Sequence, residues 1–166
     1  MDAAFEEYIS RIIEREGGSR ITRDPDDPGG TTRYGISQRA HKDVDVENLQ
    51  YQQAVMIYYD HYYRPSRAAK LPANIQEQYL DMVVNIGYPN GVKILQRATN
   101  AKGKAKLVVD GKIGPKTIAA VKKSKLESGR LAAYRIRYYV KICDIRHLHL
   151  FQNLHVVFQL QTRQHV

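Results

Sequence analysis

The most informative stretch of this sequence is Glu16-Gly17-Gly18, followed by Asp24-Pro25-Asp26-Asp27-Pro28-Gly29-Gly30-Thr31-Thr32-Arg33-Tyr34-Gly35-Ile36. Its second part combines three acids with prolines, glycines and two adjacent threonines. Prolines and glycines favour tight turns, and aspartates favour hydrogen bonds from side chain to turn backbone. The stretch therefore predicts an ordered loop, with a hairpin around residues 20–37, that follows directly on a helix end.

An amphipathic helix is predicted to come before this stretch. Its apolar residues recur at helical spacing: Phe5, Ile9, Ile12 and Ile13. Gly17-Gly18 is a stop signal, because glycine adopts the left-handed conformation that ends helices. Glu16 falls seven residues after Ile9 on the same stripe, so its side chain is predicted to point inward and not to water.

A carboxyl group at this position is a candidate general acid. Partial burial and the negative end of the helix dipole both disfavour the charged form of a carboxyl. Acid catalysis near neutral pH requires such an environment. The alternative is an ordinary solvated glutamate in the last helical turn, and the acidic loop that follows favours the catalytic interpretation.

A calcium-binding loop is the first alternative for the acids. Asp24-x-Asp26 begins like an EF-hand loop, but its fifth position is Pro28 and its twelfth is Gly35, where a bidentate glutamate is needed. The missing ligands argue against calcium. A purely structural acidic turn stays open on the pattern alone.

Taken together, these residues resemble the N-terminal signature of the glycoside hydrolase family 108 muramidases. That family includes phage endolysins and bacterial proteins labelled secretion activators. The resemblance covers residues 1 to about 143 and continues through five further segments: Tyr63-Arg64-Pro65-Ser66, Leu71-Pro72, Asp81-Met82-Val83-Val84-Asn85, Leu95-Gln96-Arg97 and Val109-Asp110-Gly111-Lys112-Ile113-Gly114-Pro115-Lys116-Thr117.

The resemblance implies a mainly α, lysozyme-like fold with a small β-hairpin or loop near the active site. It also implies hydrolysis of the glycan strands of peptidoglycan, without a metal or cofactor. The family's catalytic acid corresponds to Glu16, while Asp27 would stabilise charge or activate water and Thr32 would orient that water. Ser19 departs from the family, which usually carries an aromatic residue there.

Five further residues are predicted to contact the substrate. Asp26 and Thr31 are alternatives to Asp27 and Thr32 by spacing, and Tyr34 belongs to the same segment. Asp81 and Asn85, one helical turn apart, match a family position. For this last pair, bracing of the catalytic loop is slightly favoured over sugar binding. The full set of predicted substrate-binding residues is Asp26, Thr31, Tyr34, Asp81 and Asn85.

A second region is similar to small peptidoglycan-binding modules. In those modules a Leu-Gln helix precedes an Asp-Gly-x-x-Gly turn and another helix, as Leu95-Gln96 and Val109–Thr117 do here. We therefore predict a catalytic region at 1–91, a peptidoglycan-binding-like helical region at 92–143 and a divergent tail at 144–166. The tail is rich in histidine and apolar residues, and its role stays open.

The remaining chain predicts further helices and little strand. The tyrosine cluster at 58–63 is expected to serve as core, and stacking against sugar is the alternative that stays open. His61 is expected to be a surface or packing residue and not a base. The predicted helices are Glu47 to Tyr63, Ile75 to Ile86, Val92 to Thr99, Pro115 to Lys125 and Leu131 to Ile142. A short strand is predicted at Leu107 to Val109.

The composition indicates in which cellular compartments the protein is made and acts. The chain has 166 residues, one cysteine (Cys143) and no apolar run near the ~20 residues of a membrane span. Its acidic, amphipathic start is unlike a secretory signal. We expect synthesis in the cytoplasm, action in the periplasm or cell wall, and no stable membrane insertion. A holin is the expected export route if this is a phage enzyme.

Charge is distributed unevenly along the sequence. Residues 1–91 carry a net charge of −4 and residues 92–166 carry +13. A basic half indicates an anionic partner, such as nucleic acid, anionic lipid or the cell wall. Nucleic acid is not the expected partner, because no DNA-binding motif is recognisable.

Three other function classes are weighed against a muramidase. A non-catalytic cell-wall-binding or secretion-accessory protein on the same fold is the main alternative. A nucleic-acid-binding protein is motivated only by the basic half. A wall peptidase or amidase is disfavoured, since neither a zinc ligand set nor a suitable Cys–His pair is present.

Overall fold

The structure is a computed structural model that describes residues 3–23, 30–103 and 105–142. They divide into two compact units, Met1–Arg64 and Pro65–Val166. The described residues are mainly helical with a small antiparallel sheet, which confirms the predicted fold class. The loop acids Asp26 and Asp27 and the 144–166 tail lie outside the described residues, and the domain boundary at 91/92 stays a prediction.

Two helical segments build the first unit. Helix α1 spans Ala3–Arg15 and buries the predicted stripe: Phe5, Ile9, Ile12 and Ile13. Helix α2 spans Tyr51–Tyr58, continues as a π-helical turn at Tyr59–Tyr63, and passes into a short helix α3 at Arg64–Ser66.

Helix α2 begins four residues later than the predicted start at Glu47. The carboxylate of Asp45 accepts a hydrogen bond from the Asn48 backbone N–H at 3.2 Å, which closes a separate turn there. The side-chain oxygen of Gln53 then accepts the Gln50 N–H at 2.8 Å, satisfying a donor that the helix leaves free. Hydrogen bonds from the side chains of Asp45 and Gln53 thus stabilise a non-helical turn where the first turn of the helix was predicted.

The tyrosine cluster belongs mainly to the core of the first unit, as predicted. Tyr58 and Tyr63 are buried, and Tyr59 is half-buried. The ring of Phe5 packs against Tyr63 and Tyr59, with centroid distances of 4.6 and 5.2 Å. His61 is exposed, in agreement with its predicted surface position.

Three short strands form the sheet within the described part of the first unit. They are β1 (Thr22–Arg23), β2 (Thr31–Arg33) and β3 (Ile36–Ser37), paired antiparallel in the order β1-β2-β3. Tyr34 and Gly35 connect β2 to β3 with φ angles of 54° and 74°. Positive φ at both central residues defines a type I′ hairpin turn. The predicted hairpin is therefore confirmed.

The second unit is built from helices. A 3₁₀ turn at Ala68–Lys70 precedes α4 (Ala73–Ile86), α5 (Tyr88–Lys102), α6 (Pro115–Ser124) and α7 (Ser128–Ile142). The four long helices match predicted ones, but α5 is longer than Val92 to Thr99. Pro89 lies in its first turn, where a missing N–H costs nothing, so the break between α4 and α5 falls at Gly87 alone.

The predicted strand at Leu107 to Val109 is wrong. The side chain of Asn100 donates to the Leu107 carbonyl at 2.8 Å and accepts the Leu107 N–H at 2.9 Å. A side-chain amide thus pairs with the backbone groups that a neighbouring strand would otherwise engage. The segment is irregular and follows helix α5.

Buried Gln96 organises the turn at Asp110 and Gly111. Its amide donates to Asp110 Oδ1 at 2.8 Å and to the Lys112 carbonyl at 3.1 Å, and its oxygen accepts the Gly111 N–H at 3.0 Å. Gly111 has a φ of 78°, and a Cβ there would lie 2.9 Å from the Pro89 carbonyl. The Leu-Gln and Asp-Gly-x-x-Gly motif is therefore explained by turn geometry, whether or not it binds sugar.

A buried ion pair joins α4 to α7. Asp81 and Arg135 form a charged hydrogen bond, and each side chain is only 1% exposed. Burial alone would lower the pKa of Arg135, but the Asp81 charge and Tyr139 reverse the effect and raise that pKa. Asn85 donates to the Asp81 carbonyl at 2.9 Å. Asp81 thus lies in the interior with a structural partner, and its predicted contact with substrate stays a prediction.

We expect Asp81→Leu to lower the free energy of unfolding by about 3–5 kcal/mol, because it leaves the Arg135 charge buried and unpaired. The double variant Asp81→Leu/Arg135→Met should recover most of that loss. Urea titrations followed by circular dichroism measure both. If the single and double variants were equally destabilised, the pair would not be the cause.

Candidate active site

Glu16 lies in the turn that follows α1, and it is exposed. Gly17 and Gly18, with φ angles of 101° and 58°, turn the chain away after the helix ends at Arg15. The Glu16 N–H still bonds the Ile12 carbonyl at 3.0 Å. The prediction that this side chain points inward is therefore wrong, because the stripe leaves the core once the glycines end the helix.

Although exposed, Glu16 is held along its aliphatic stem by Gly35. A Cβ added to Gly35 would lie 2.9 Å from Glu16 Cβ and 3.3 Å from Glu16 Cγ. It would also lie 2.5 Å from the hydroxyl of Tyr58. Real Cβ atoms do not approach other atoms so closely, so only glycine allows both side chains to contact the turn.

Two hydrogen bonds fix the turn that carries Gly35. The backbone N–H of Tyr34 donates to the Gly18 carbonyl at 3.0 Å, which joins the hairpin to the end of α1. The Tyr34 carbonyl accepts the Tyr58 hydroxyl at 3.0 Å, which joins the same residue to α2. The backbone on both sides of Tyr34 is therefore tied to a helix.

Tyr34 itself is buried, and its ring packs edge-on against Tyr51 at a centroid distance of 5.8 Å. The guanidinium of Arg33 lies 5.2 Å from the Tyr34 ring centroid. These contacts give Tyr34 a packing role and help a non-glycine residue to keep a positive φ. Its predicted contact with the substrate stays a prediction.

Tyr58 is a component of the site that the sequence analysis missed. Burial, the charge of Glu16 and then Tyr62 raise the pKa of Tyr58 far above its ordinary value. The hydroxyl therefore stays protonated at physiological pH and keeps its bond to the Tyr34 carbonyl. Both the stem of Glu16 and the hydroxyl of Tyr58 approach Gly35, within 2.9 and 2.5 Å of the position that a Cβ would take there.

Thr31 and Thr32 are consecutive residues of β2, and both are half-buried. Thr32 pairs across the sheet with Thr22 and Ser37, and Thr31 pairs with Arg23. Successive side chains in a strand point to opposite faces, so the two threonines cannot share one face. At most one of them can therefore play the predicted water-orienting role from a given face.

A cluster of aromatic rings extends from Tyr58. Its ring lies 5.4 Å from that of Tyr62, whose hydroxyl is 3.3 Å from His41 Nε2. The rings of His41 and His61 are 5.4 Å apart. Burial, followed by the neighbouring His61, lowers the pKa of His41, which favours the neutral imidazole at pH 7. Periodicity did not single out His41, because it lies in an irregular loop.

Across the described parts of the chain, no set of three or more His, Cys, Asp or Glu side chains is arranged to hold a metal ion. In the same residues, no helix combines the length and apolar character needed to cross a membrane.

The mainly helical fold with its small antiparallel sheet is lysozyme-like. Residues 9–87 match the family model described as glycosyl hydrolase 108, and residues 90–164 match one described as a predicted peptidoglycan domain. The chain thus carries a glycosyl hydrolase 108 domain followed by a peptidoglycan-binding domain, which confirms the resemblance noted in the sequence.

A solved structure, that of Brucella abortus SagA, is similar to this chain. The two share 25% sequence identity and superpose with a TM-score of 0.76, over 96% of this chain and 92% of that one. No curated protein matches the sequence. The similarity extends over nearly the whole length of both chains and agrees with the mainly helical fold.

We expect Gly35→Ala to lower the free energy of unfolding by about 1–3 kcal/mol, because the new methyl group meets Glu16 and Tyr58 at a positive φ. Thermal and urea unfolding measure this effect, and release of reducing ends from peptidoglycan reports on the site. Gly30→Ala is the matched control: its φ is 69°, but its nearest neighbour would be 4.0 Å away. Equal losses in both variants would contradict a steric role for Gly35.

Proposed function

We propose that this protein is a lysozyme-type N-acetylmuramidase that cleaves the glycan strand of peptidoglycan by acid catalysis from Glu16. The observation that carries the proposal is the placement of this carboxyl. Its stem is held against Gly35 in a turn tied to two helices, while the side chain is exposed and so open to a substrate. A positioned, accessible acid is what protonation of a leaving group requires.

In this mechanism Glu16 protonates the glycosidic oxygen as the bond to the anomeric carbon breaks. Asp27 stabilises the oxocarbenium-like centre or activates water, and Thr32 orients that water. Asp26 and Thr31 are the alternatives for these two assisting roles. Stereochemistry follows from carboxyl separation: about 5–5.5 Å for a retaining enzyme and about 6.5–9.5 Å for an inverting one.

Because Glu16 is exposed, burial within the protein cannot be what favours its protonated form. The protein alone does not bury the carboxyl, so a bound glycan strand must exclude water from it. Loss of water disfavours the charged form of a carboxyl, and the negative end of α1 acts in the same direction. The helix end acts with or without substrate, and binding of the glycan strand adds the loss of water.

The setting of the reaction forms part of the same proposal. We place the activity at the peptidoglycan layer, in the role of an endolysin of a phage or prophage or of a secretion activator. The protein would be made in the cytoplasm, and a phage enzyme would reach its substrate through a holin. The peptidoglycan-binding domain supports action at the wall.

A non-catalytic wall-binding or secretion-accessory protein is the second candidate. The match of residues 90–164 to a peptidoglycan domain favours it, because wall binding needs no catalytic acid. The two candidates separate in one assay. An accessory protein binds purified peptidoglycan without releasing reducing ends, whereas a muramidase does both.

Glu16→Gln is expected to reduce the release of reducing ends from purified peptidoglycan by about 10²–10⁴-fold, the usual contribution of a general acid. The amide keeps the size of the side chain but cannot donate a carboxylic proton. Binding to the same peptidoglycan should be retained.

Glu14→Gln provides the matched control, since Glu14 is an exposed acid in the last turn of α1 and the change in net charge is identical. Its activity should equal that of the wild type. If Glu16→Gln were as active as Glu14→Gln, Glu16 would be a structural residue and the proposed mechanism would be wrong.

A further inference from the structure

Helices α5 and α7 form a cleft in the second unit that the proposed reaction does not use. We call it the α5–α7 cleft, and its volume is about 580 Å³. Cavities of this size accommodate small ligands. The polar groups that line it come from one face of each helix: Arg97 and Asn100 from α5, and Tyr134, Arg137, Tyr138 and Lys141 from α7.

The cleft is positively charged and contains no acidic lining residue. Arg97, Arg137 and Lys141 contribute three cations, all of them exposed. Within the ranges that the structure describes, none of the three forms an ion pair. Arg135, which lies on another face of α7, is by contrast buried and paired with Asp81. The charge of the cleft is thus available to an anion.

The other walls suit a ligand that is partly apolar. Tyr134 and Tyr138 are half-buried and lie one helical turn apart, so their rings form a wall with a hydroxyl at each tip. The amide of Asn100 is already engaged on both sides by Leu107 and acts as a fixed part of the wall. The cleft therefore combines cations at its edge with aromatic surface.

We propose that the α5–α7 cleft binds the carboxylates of peptidoglycan stem peptides. Guanidinium groups pair bidentately with carboxylates, and tyrosine rings pack against aliphatic portions of a short peptide. This inference rests on the proposed function only in that both concern peptidoglycan. The cleft holds the peptide branch, whereas Glu16 acts on the glycan.

A short peptide fits these features better than nucleic acid does. Nucleic acid binds along an extended basic groove that follows many phosphates. The cations here converge on one compact cleft instead. The high positive charge of residues 92–166, net +13, would then raise the rate of encounter with the anionic wall, while the cleft selects the stem peptide.

The test measures binding of a soluble stem tetrapeptide with free carboxylates to the full chain by isothermal titration calorimetry. Arg97→Gln/Arg137→Gln should weaken binding by about tenfold or more, since each removes a charged hydrogen-bond donor. Arg130→Gln/Lys122→Gln is the control, because it removes the same charge from exposed positions that do not line the cleft. It should bind like the wild type.

Competition and comparison experiments identify the chemical class of the anion that the cleft binds. The amidated tetrapeptide should bind more weakly than the free acid, and inorganic phosphate, anionic vesicles and an oligonucleotide should not compete at equal charge concentration. Circular dichroism checks that each variant is folded. The variant Arg97→Lys/Arg137→Lys keeps the charge but loses the bidentate geometry, so its affinity should lie between those of the wild type and the glutamine variant. It replaces the glutamine variant in the test if that variant does not fold.

Three results would overturn the inference. They are no binding of the free-acid tetrapeptide by the wild type, equal losses in the cleft and control variants, or stronger binding of a phosphate-bearing probe. None of these results depends on hydrolysis. Release of reducing ends by the wild type, tested against Glu16→Gln, separately decides the proposed function.

Discussion

The geometry of the candidate active site depends on one hairpin turn, Tyr34-Gly35. Its backbone donates to Gly18 just after the end of α1 and accepts from Tyr58 on α2, so a single turn is tied to both helices. Gly35 leaves only enough space for the stem of Glu16 and the hydroxyl of Tyr58. The turn thus packs closely against the aliphatic atoms of Glu16, whose side chain is exposed.

The second unit depends on buried polar contacts of a different kind. The pair of Asp81 and Arg135 ties α4 to α7, and the amide of Gln96 holds the turn at Gly111. Asp81, Gln96 and Arg135 are all buried. The motif residues Asp81 and Gln96, whose types suggest ligand binding, thus have structural partners inside the fold. The exposed cations on α5 and α7 are then the groups left for recognition. Structural and recognition roles are divided between the inside and the outside of the same helices.

Much of this architecture is predictable from sequence, because helical periodicity and glycine signals are local. The stripe of α1, the core role of the tyrosines and the hairpin all follow from such patterns. The inward direction assigned to Glu16 was wrong, since the periodicity of a helix does not reveal what lies beyond its last turn. Tyr58 was missed as part of the site for a related reason: its bond to the Tyr34 carbonyl joins residues 24 positions apart. The strand predicted at 107–109 failed because a side chain, Asn100, takes the place of a partner strand.

The central claim is that the glycan strand is cut at muramic acid. The most direct measurement is mass spectrometry of borohydride-reduced products after complete digestion of purified peptidoglycan by the wild-type chain. Cleavage by a muramidase exposes N-acetylmuramic acid at the new reducing ends, so the account predicts fragments that end in N-acetylmuramitol. Fragments that end in reduced N-acetylglucosamine, or free stem peptides released without new reducing ends, would contradict it.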